Sequence, residues 1–124
     1  MPSASELIGI GVDLISWGRA KRFLARHSFQ FVSRLLKPSE RDVFLKTQTP
    51  VEFFARCFIA KEAYFKARGG EWMGEAGFRD IETVMEKKDR FRIRDRGFRT
   101  EGHFFEVPDG IAAEVFVWKE GDSL

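Results

Sequence analysis

FFARCFIAKEAYFKARGG, residues Phe53–Gly70, reads as one amphipathic helix with a fault in its apolar stripe. At about 100° per residue, Val51, Phe54, Ala55, Phe58 and Phe65 share a face, and Glu62 falls among them. A carboxylate there needs a cation, a proton or a hydrogen-bonding partner, because burying it bare costs more than a helix can return. Lys66 follows at i+4 on the edge of that face, and Lys61 flanks the other edge. A surface pair between Glu62 and Lys66, worth about 0.3–0.5 kcal/mol, is the undemanding explanation. A bound cation is the other. Upstream, Thr49 and Pro50 suit the N-cap and the first helical position. Downstream, Gly69-Gly70 ends the helix with residues that accept the left-handed conformation.

Working back toward the N-terminus, Leu7–Ile15, LIGIGVDLI, is a short apolar run with the pattern of a buried strand. Period two places Ile8, Ile10, Val12 and Leu14 on one face and Gly9, Gly11 and Asp13 on the other. The glycines leave backbone bare for close approach by another backbone or a ligand. Asp13, at the end of the run, suits a metal ligand or the cap of the segment that follows. Ser16–Leu36 is helical and basic, with an interruption expected at His27-Ser28. Arg19, Arg22 and Arg26 stand three and four apart and form one cationic ridge, either a solvated face or a dock for an acidic partner. Lys37-Pro38-Ser39-Glu40 restarts a short helix, Glu40–Lys46.

Past Gly70 the pattern changes. Glu71–Gly77 reads as a glycine-spaced loop around Trp72 and Met73. Ile81–Glu86, Arg90–Arg94, Gly102–Val107 and Ile111–Trp118 read as strands separated by turns, the last at Pro108-Asp109-Gly110. In Arg90–Arg94 the alternation turns Phe91 and Ile93 inward and Arg90, Arg92 and Arg94 outward. The expected class is therefore α+β, an antiparallel sheet with a long central helix and shorter helices packed on one side, in a single domain spanning residues 1–124.

Composition narrows the function. Basic and acidic residues number 21 and 19, for a net charge of +2, too even for a bulk nucleic-acid binder. Stacking of bases on the arginine ladder is disfavoured too, because Phe91 faces away from it. The single cysteine, Cys57, excludes an internal disulfide and a cysteine-rich zinc site. No run approaches the ~18 apolar residues of a membrane span. The opening MPSASE has no positive n-region and no long apolar h-region, so export is not expected and the expected location is cytoplasmic.

If the main helix packs its stripe on the sheet, Asp13 and Glu62 converge. Two hard oxygen ligands with few other protein groups suit Mg²⁺, which keeps its waters and takes further oxygens from a substrate phosphate. Lys66, one turn along, could neutralise charge on that phosphate.

Gly9-Ile10-Gly11-Val12-Asp13 with Arg19, followed by Lys61-Glu62-Ala63-Tyr64-Phe65-Lys66, resembles the paired motifs of the 4′-phosphopantetheinyl transferases. It is most similar to their small holo-acyl-carrier-protein synthase branch. FVSRLLKPSERDVF between the motifs is similar as well, and the resemblance runs from about Leu7 to Gly70 and is loose afterwards. It implies an enzyme that moves phosphopantetheine from coenzyme A to a serine of an acyl carrier protein and releases 3′,5′-ADP. By the same resemblance, Asp13 and Glu62 hold Mg²⁺, and Glu62 and Lys66 are catalytic. Lys66 stabilises phosphoryl charge, while the serine proton goes to Glu62 or to a water on the metal. Arg56, Lys61, Lys66, the Gly69-Gly70 backbone and His103 become the coenzyme A contacts. Arg19 and Arg26 face the carrier protein, and a homotrimer with sites between subunits is expected. One departure stands out: the family carries histidine-x-serine entering its last strands, where this chain has Glu101-Gly102-His103. That departure keeps a second reading open, a degenerate relative that binds carrier protein but transfers poorly.

Overall fold

The computed structural model describes residues 6–69 and 74–120, with residues 74–76 described by backbone alone. Gly70, Trp72 and Met73 lie outside the described residues. In chain order the elements are β1 (Glu6–Ser16), α1 (Trp17–Arg26), α2 (Phe29–Ser33), α3 (Pro38–Lys46) and α4 (Pro50–Ala67). There follow α5 (Gly74–Asp80), β2 (Glu82–Lys87), β3 (Arg90–Arg94), β4 (Phe98–Val107) and β5 (Gly110–Lys119). The strands form one five-stranded sheet in the order β1-β5-β4-β3-β2, antiparallel at every pairing. The expected α+β class holds, and the long helix α4 begins at Pro50 behind Thr49. One expected loop does not hold: within Glu71–Gly77 the chain enters α5 at Gly74. Its glycines conceal a short helix whose Phe78 is fully buried.

Helix α4 lies directly on β1, and the glycines are the reason. A Cβ at Gly9 would stand 1.9 Å from the Ala67 carbonyl oxygen, and one at Gly11 would stand 1.8 Å from that of Ala63. Only bare backbone on the strand and small residues at i and i+4 on the helix allow that approach. The face carrying Gly9 and Gly11 is therefore the inner one, and Ile15 continues it into the core. The large apolar residues of β1 point the other way: Ile10 and Val12 are 52% exposed and Leu14 is 63% exposed. This corrects the expectation of a fully buried strand. Strand β1 is an edge strand with an apolar outer face.

A second correction concerns the stripe on α4. Its aromatic arc meets helices instead of the sheet. Phe54 stacks on Phe23 of α1 at 5.4 Å between ring centroids, and Phe58 and Phe65 lie 5.5 and 5.6 Å from Phe78 of α5. The sheet takes the arc with Ala63 and Ala67. Glu62 stands at the border of the two arcs, half-buried, which is why it still comes beside β1.

A buried ion pair fixes the other side of α4. Lys61 and Glu40 are 0% and 2% exposed, with Nζ 2.6 Å from Oε1. The same ammonium donates to the carbonyl oxygens of Leu35 (3.0 Å) and Phe78 (3.1 Å). Glu40 also accepts from the backbone N–H of Lys37 and of Thr83, each at 2.7 Å. All three donors of Lys61 are engaged inside the core. The expected coenzyme A contact by Lys61 is therefore withdrawn, since its charge is sealed from any ligand. At the C-terminal end of α4, Tyr64 and Arg68 reach Asp95 after β3, at 2.6 and 3.0 Å.

The alanine–glycine contact gives a direct expectation. Gly11→Ala forces α4 off the sheet and destabilises the protein by at least about 3 kcal/mol, the upper range for overpacking. A chemical denaturation midpoint within error of the parent would contradict the contact. Removing one member of the buried pair, as in Lys61→Met, strands a charged Glu40 and costs about 3–5 kcal/mol. Adding Glu40→Gln should restore part of that loss by removing the stranded charge, and not all of it, because the Leu35 and Phe78 carbonyls stay unpaired.

Candidate active site

Three elements bring the sequence-expected groups together. Strand β1 and α4 run in opposite directions, so stepping from Gly9 through Gly11 to Asp13 moves from Ala67 through Ala63 toward the level of Glu62. Asp13 and Glu62 then line one pocket of about 310 Å³ with Arg19 and Phe23 of α1, Phe54 and Phe58 of α4, and the start of the β1–α1 junction. Ser16 makes that junction sharp: its hydroxyl caps α1 by accepting from the Arg19 N–H at 3.0 Å. The cap is thus Ser16 and not Asp13, whose carboxylate turns to the pocket instead.

Lys66 pairs with Asp13 and not with Glu62. Its Nζ lies 3.0 Å from Asp13 Oδ1 and 3.4 Å from the Val12 carbonyl oxygen. The ammonium is half exposed and Asp13 only 19% exposed. Glu62 makes no ion pair or side-chain hydrogen bond among the described residues. Burial pushes its carboxyl above the usual range, the Asp13 charge pushes it further, and Lys66 partly opposes both. A half-buried carboxylate repelled by a second one across an open pocket is an arrangement that a cation relieves.

The donor set fits a magnesium ion in this respect. Two carboxylates face one solvent-reached pocket, and among the described residues no cluster of three or more histidine, cysteine or carboxylate ligands occurs. Such a pair leaves most of an octahedral shell to water and to substrate oxygens. The pocket's other half is aromatic, so one end is charged and the other apolar.

The remaining expected residues distribute around this centre. Arg19 lines the pocket, and Arg26 lies in the last turn of α1, exposed. Arg56 sits on a different side of α4, beside a separate hollow of about 440 Å³ with Lys88, Asp89 and Phe104. Its guanidinium donates to the Lys88 carbonyl oxygen at 3.2 Å and lies 5.0 Å from the Phe104 ring centroid. Cross-strand register puts Asp13, Ala113 and Phe104 in one inner row of the sheet, so this hollow lies two strands from Asp13, about 10 Å away. Gly69 is exposed with φ of 111°, just past the end of α4.

His103 is not brought to this pocket. The register Val12–Glu114–His103 places it on the outer face, with the sheet between it and Asp13 of the same subunit. Arg90 is its partner across β3, and the rest of the ladder is taken up by carboxylates: Arg94 pairs with Glu82 at 2.8 Å and Arg92 with Glu86 at 3.4 Å. Phe91 is buried, so the ladder presents no exposed ring there. Sequence reading missed the pairing of Lys66 with Asp13. The pocket's aromatic wall from α1 was missed as well, and the spacing of Phe23 from Ala20 and Leu24 was its one visible signal.

Comparison with known proteins identifies the family. The family model described as the 4′-phosphopantetheinyl transferase superfamily matches residues 9–116. A holo-[acyl-carrier-protein] synthase of Halorhodospira halophila is 35% identical over 77% of this chain and 75% of its own length. That of Aromatoleum aromaticum is 46% identical over 49% of each, so that match spans about half of the relative's length. Among solved structures, a holo-(acyl-carrier-protein) synthase from Bacillus anthracis in complex with CoA (3′,5′-ADP) superposes with a TM-score of 0.76 at 28% identity, covering 94% of this chain and all 100% of the other. The synthase of Neisseria meningitidis gives 0.75 at 28% identity, covering 93% and 99%. With a match that runs from strand β1 into strand β5, the chain belongs to the 4′-phosphopantetheinyl transferase superfamily.

Proposed function

We propose that this protein is a holo-[acyl-carrier-protein] synthase. It transfers 4′-phosphopantetheine from coenzyme A to a serine hydroxyl of an acyl carrier protein and releases 3′,5′-ADP. The observation that carries the reading is the convergence of Asp13 and Glu62 on one pocket with Lys66 on Asp13. The names of the relatives and the coenzyme A in the Bacillus anthracis structure support it. Asp13 and Glu62 would hold Mg²⁺, which supplies charge neutralisation on the diphosphate. The serine oxygen attacks the phosphorus that carries pantetheine, and the bond to the adenosine-side phosphate breaks. Lys66 neutralises charge on the oxygen that leaves, and the serine proton departs toward the carboxylate end of the pocket. Positioning and neutralisation of this kind carry most of phosphoryl transfer.

Arg19 and Arg26 offer the carrier protein a basic face beside the pocket, and steering by such charges speeds encounter with an acidic partner. Arg56 and the Gly69 backbone take the nucleotide end of coenzyme A from the side of α4. His103 faces the opposite side of the sheet, so it serves a site only if it belongs to a neighbouring subunit. The exposed apolar row Ile8, Ile10, Val12 and Leu14 on the same outer face is surface that a neighbour would cover. Both features favour a homotrimer with shared sites. Among the described residues no helix is long and apolar enough to cross a membrane, and we place the reaction in the cytoplasm.

Mass spectrometry of an apo carrier protein incubated with coenzyme A and Mg²⁺ tests the reaction: the carrier gains the phosphopantetheine mass. Asp13→Ala and Glu62→Ala should lower the rate at least about 100-fold with an unchanged fold by circular dichroism. Near-parental turnover of either variant at low Mg²⁺ would rule out the metal assignment.

Assembly has its own test. Lys66→Ala and His103→Ala subunits, each impaired alone, should regain part of the activity when mixed and exchanged, because some sites then combine an intact Lys66 with an intact His103. An active monomer by light scattering refutes the shared site.

A further inference from the structure

Strand β1 passes into α1 with no residue between them: Ser16 ends the strand and Trp17 opens the helix. Two hydrogen bonds hold this corner. One is the Ser16 cap on the Arg19 N–H. The other comes from the β4–β5 turn, where the Asp109 carbonyl oxygen accepts from the Trp17 N–H at 2.9 Å. That amide is among the first N–H groups of α1, which have no acceptor within the helix. The register of β1 with β5 closes at the same place, on the pair Ser16–Gly110.

The conformation of the turn shows what shapes it. Asp109 has a φ of 60°, and among the described residues it is the only non-glycine with a positive φ. Gly110 stands next to it and does not take that conformation, which the described glycines adopt only at Gly69 and Gly97. A turn that answered to its own hairpin alone would put its glycine at the left-handed position. Here the glycine is used otherwise: a Cβ at Gly110 would stand 2.4 Å from the Ile15 carbonyl oxygen and 3.0 Å from the Ser16 Cα. Bare backbone there lets the hairpin press on the corner. The left-handed position falls to Asp109, a residue type that tolerates it better than most.

The corner bears on the site through Arg19, which stands two residues past Trp17 and lines the pocket. Farther along α1, Phe23 is stacked on Phe54 at 5.4 Å between ring centroids. A loosened corner therefore moves the first turn of α1 more than the rest of the helix. We propose that Asp109 is a positioning residue: its carbonyl, aimed by the left-handed turn, fixes the first turn of α1 and so presents Arg19 to the carrier protein. This rests on the transferase reading above and goes beyond it by giving the β4–β5 turn a part in carrier recognition and none in the chemistry. Coenzyme A, held on that reading from the side of α4, is indifferent to the turn.

The test is steady-state transfer, with KM measured separately for carrier protein and for coenzyme A. Asp109→Val puts a β-branched residue where φ is positive, which such residues resist, and so withdraws the carbonyl from Trp17. KM for the carrier should rise about fivefold, the scale of one lost hydrogen bond, with kcat and KM for coenzyme A unchanged. Asp109→Ala takes its place if the valine variant fails to fold. Asp109→Asn keeps the tolerance for positive φ without the charge and should match the parent. In an Arg19→Gln background Asp109→Val should add less than about twofold, because its effect runs through Arg19. Amide hydrogen exchange, read without turnover, should quicken at Trp17 in Asp109→Val and stay parental in Asp109→Asn. Unchanged carrier KM or unchanged Trp17 exchange in Asp109→Val overturns the proposal. So does an equal rise in both KM values, or a full fivefold effect that persists in Arg19→Gln. If the parent itself transfers nothing, the transferase reading falls and the carrier role of Asp109 with it, while Trp17 exchange still reports whether the turn holds the corner.

Discussion

The contact on which the rest depends is that of two helix carbonyls with two glycines. Ala63 and Ala67 lay their backbone against Gly11 and Gly9, closer than any side chain would permit. That contact sets the depth, direction and rotation of α4 on the sheet at once. Asp13 follows the glycines by one strand period, and Glu62 and Lys66 precede the alanines by one residue each. A rotation of α4 by one residue, about 100°, would move Glu62 out of the pocket and bring bulk to where the glycines leave room. The site is therefore specified by packing before any of its charges act.

The opposite flank of the helix is held by charge. Lys61 and Glu40 tie the loop before α3, the start of β2 and the end of α5 to the middle of α4 through five hydrogen bonds. Breaking such a buried pair is expensive even when forming it gains little, so it acts as a constraint on geometry more than as a source of stability. Tyr64 and Arg68 repeat the device at the helix end, converging on Asp95, and Arg68 also lies 4.1 Å from the Phe98 ring centroid. With Lys66 on Asp13 from the other side, the last turn of α4 is fastened on both flanks.

Much of this was legible in the chain. Asp13 stood out as an acid ending an apolar run and Glu62 as a break in a period of 3.6, and the glycines announced a close approach. The strands β2, β3 and β5 followed from alternation and turn residues. What escaped has physical causes. Period two separates the faces of β1 without saying which is inside, and the apolar run read as a buried strand although only its glycine face is covered. Helix α4 has an aromatic arc and a small-residue arc, and the eye follows the large residues although the sheet needed the small ones. A lysine at a helix edge reads as solvated, and nothing local to Lys61 points to Glu40, which stands 21 residues away. The pairing of Lys66 with Asp13 is likewise a tertiary fact, invisible to spacing within the helix.

The division of labour inside the two motifs bears on how such sequences evolve. Gly9 and Gly11 answer to sterics, and Lys61 answers to a buried carboxylate, so all three stay under selection in any descendant that keeps the fold. On the transferase reading proposed above, Asp13, Glu62 and Lys66 answer chiefly to the reaction. Half of each motif would thus persist in a lineage that had lost the chemistry, and a pattern search weighted on the glycines would gather silent relatives with working ones. If the proposed roles hold, the informative letters are the three charges at the pocket, and a survey that scores those separately would tell scaffold from catalyst.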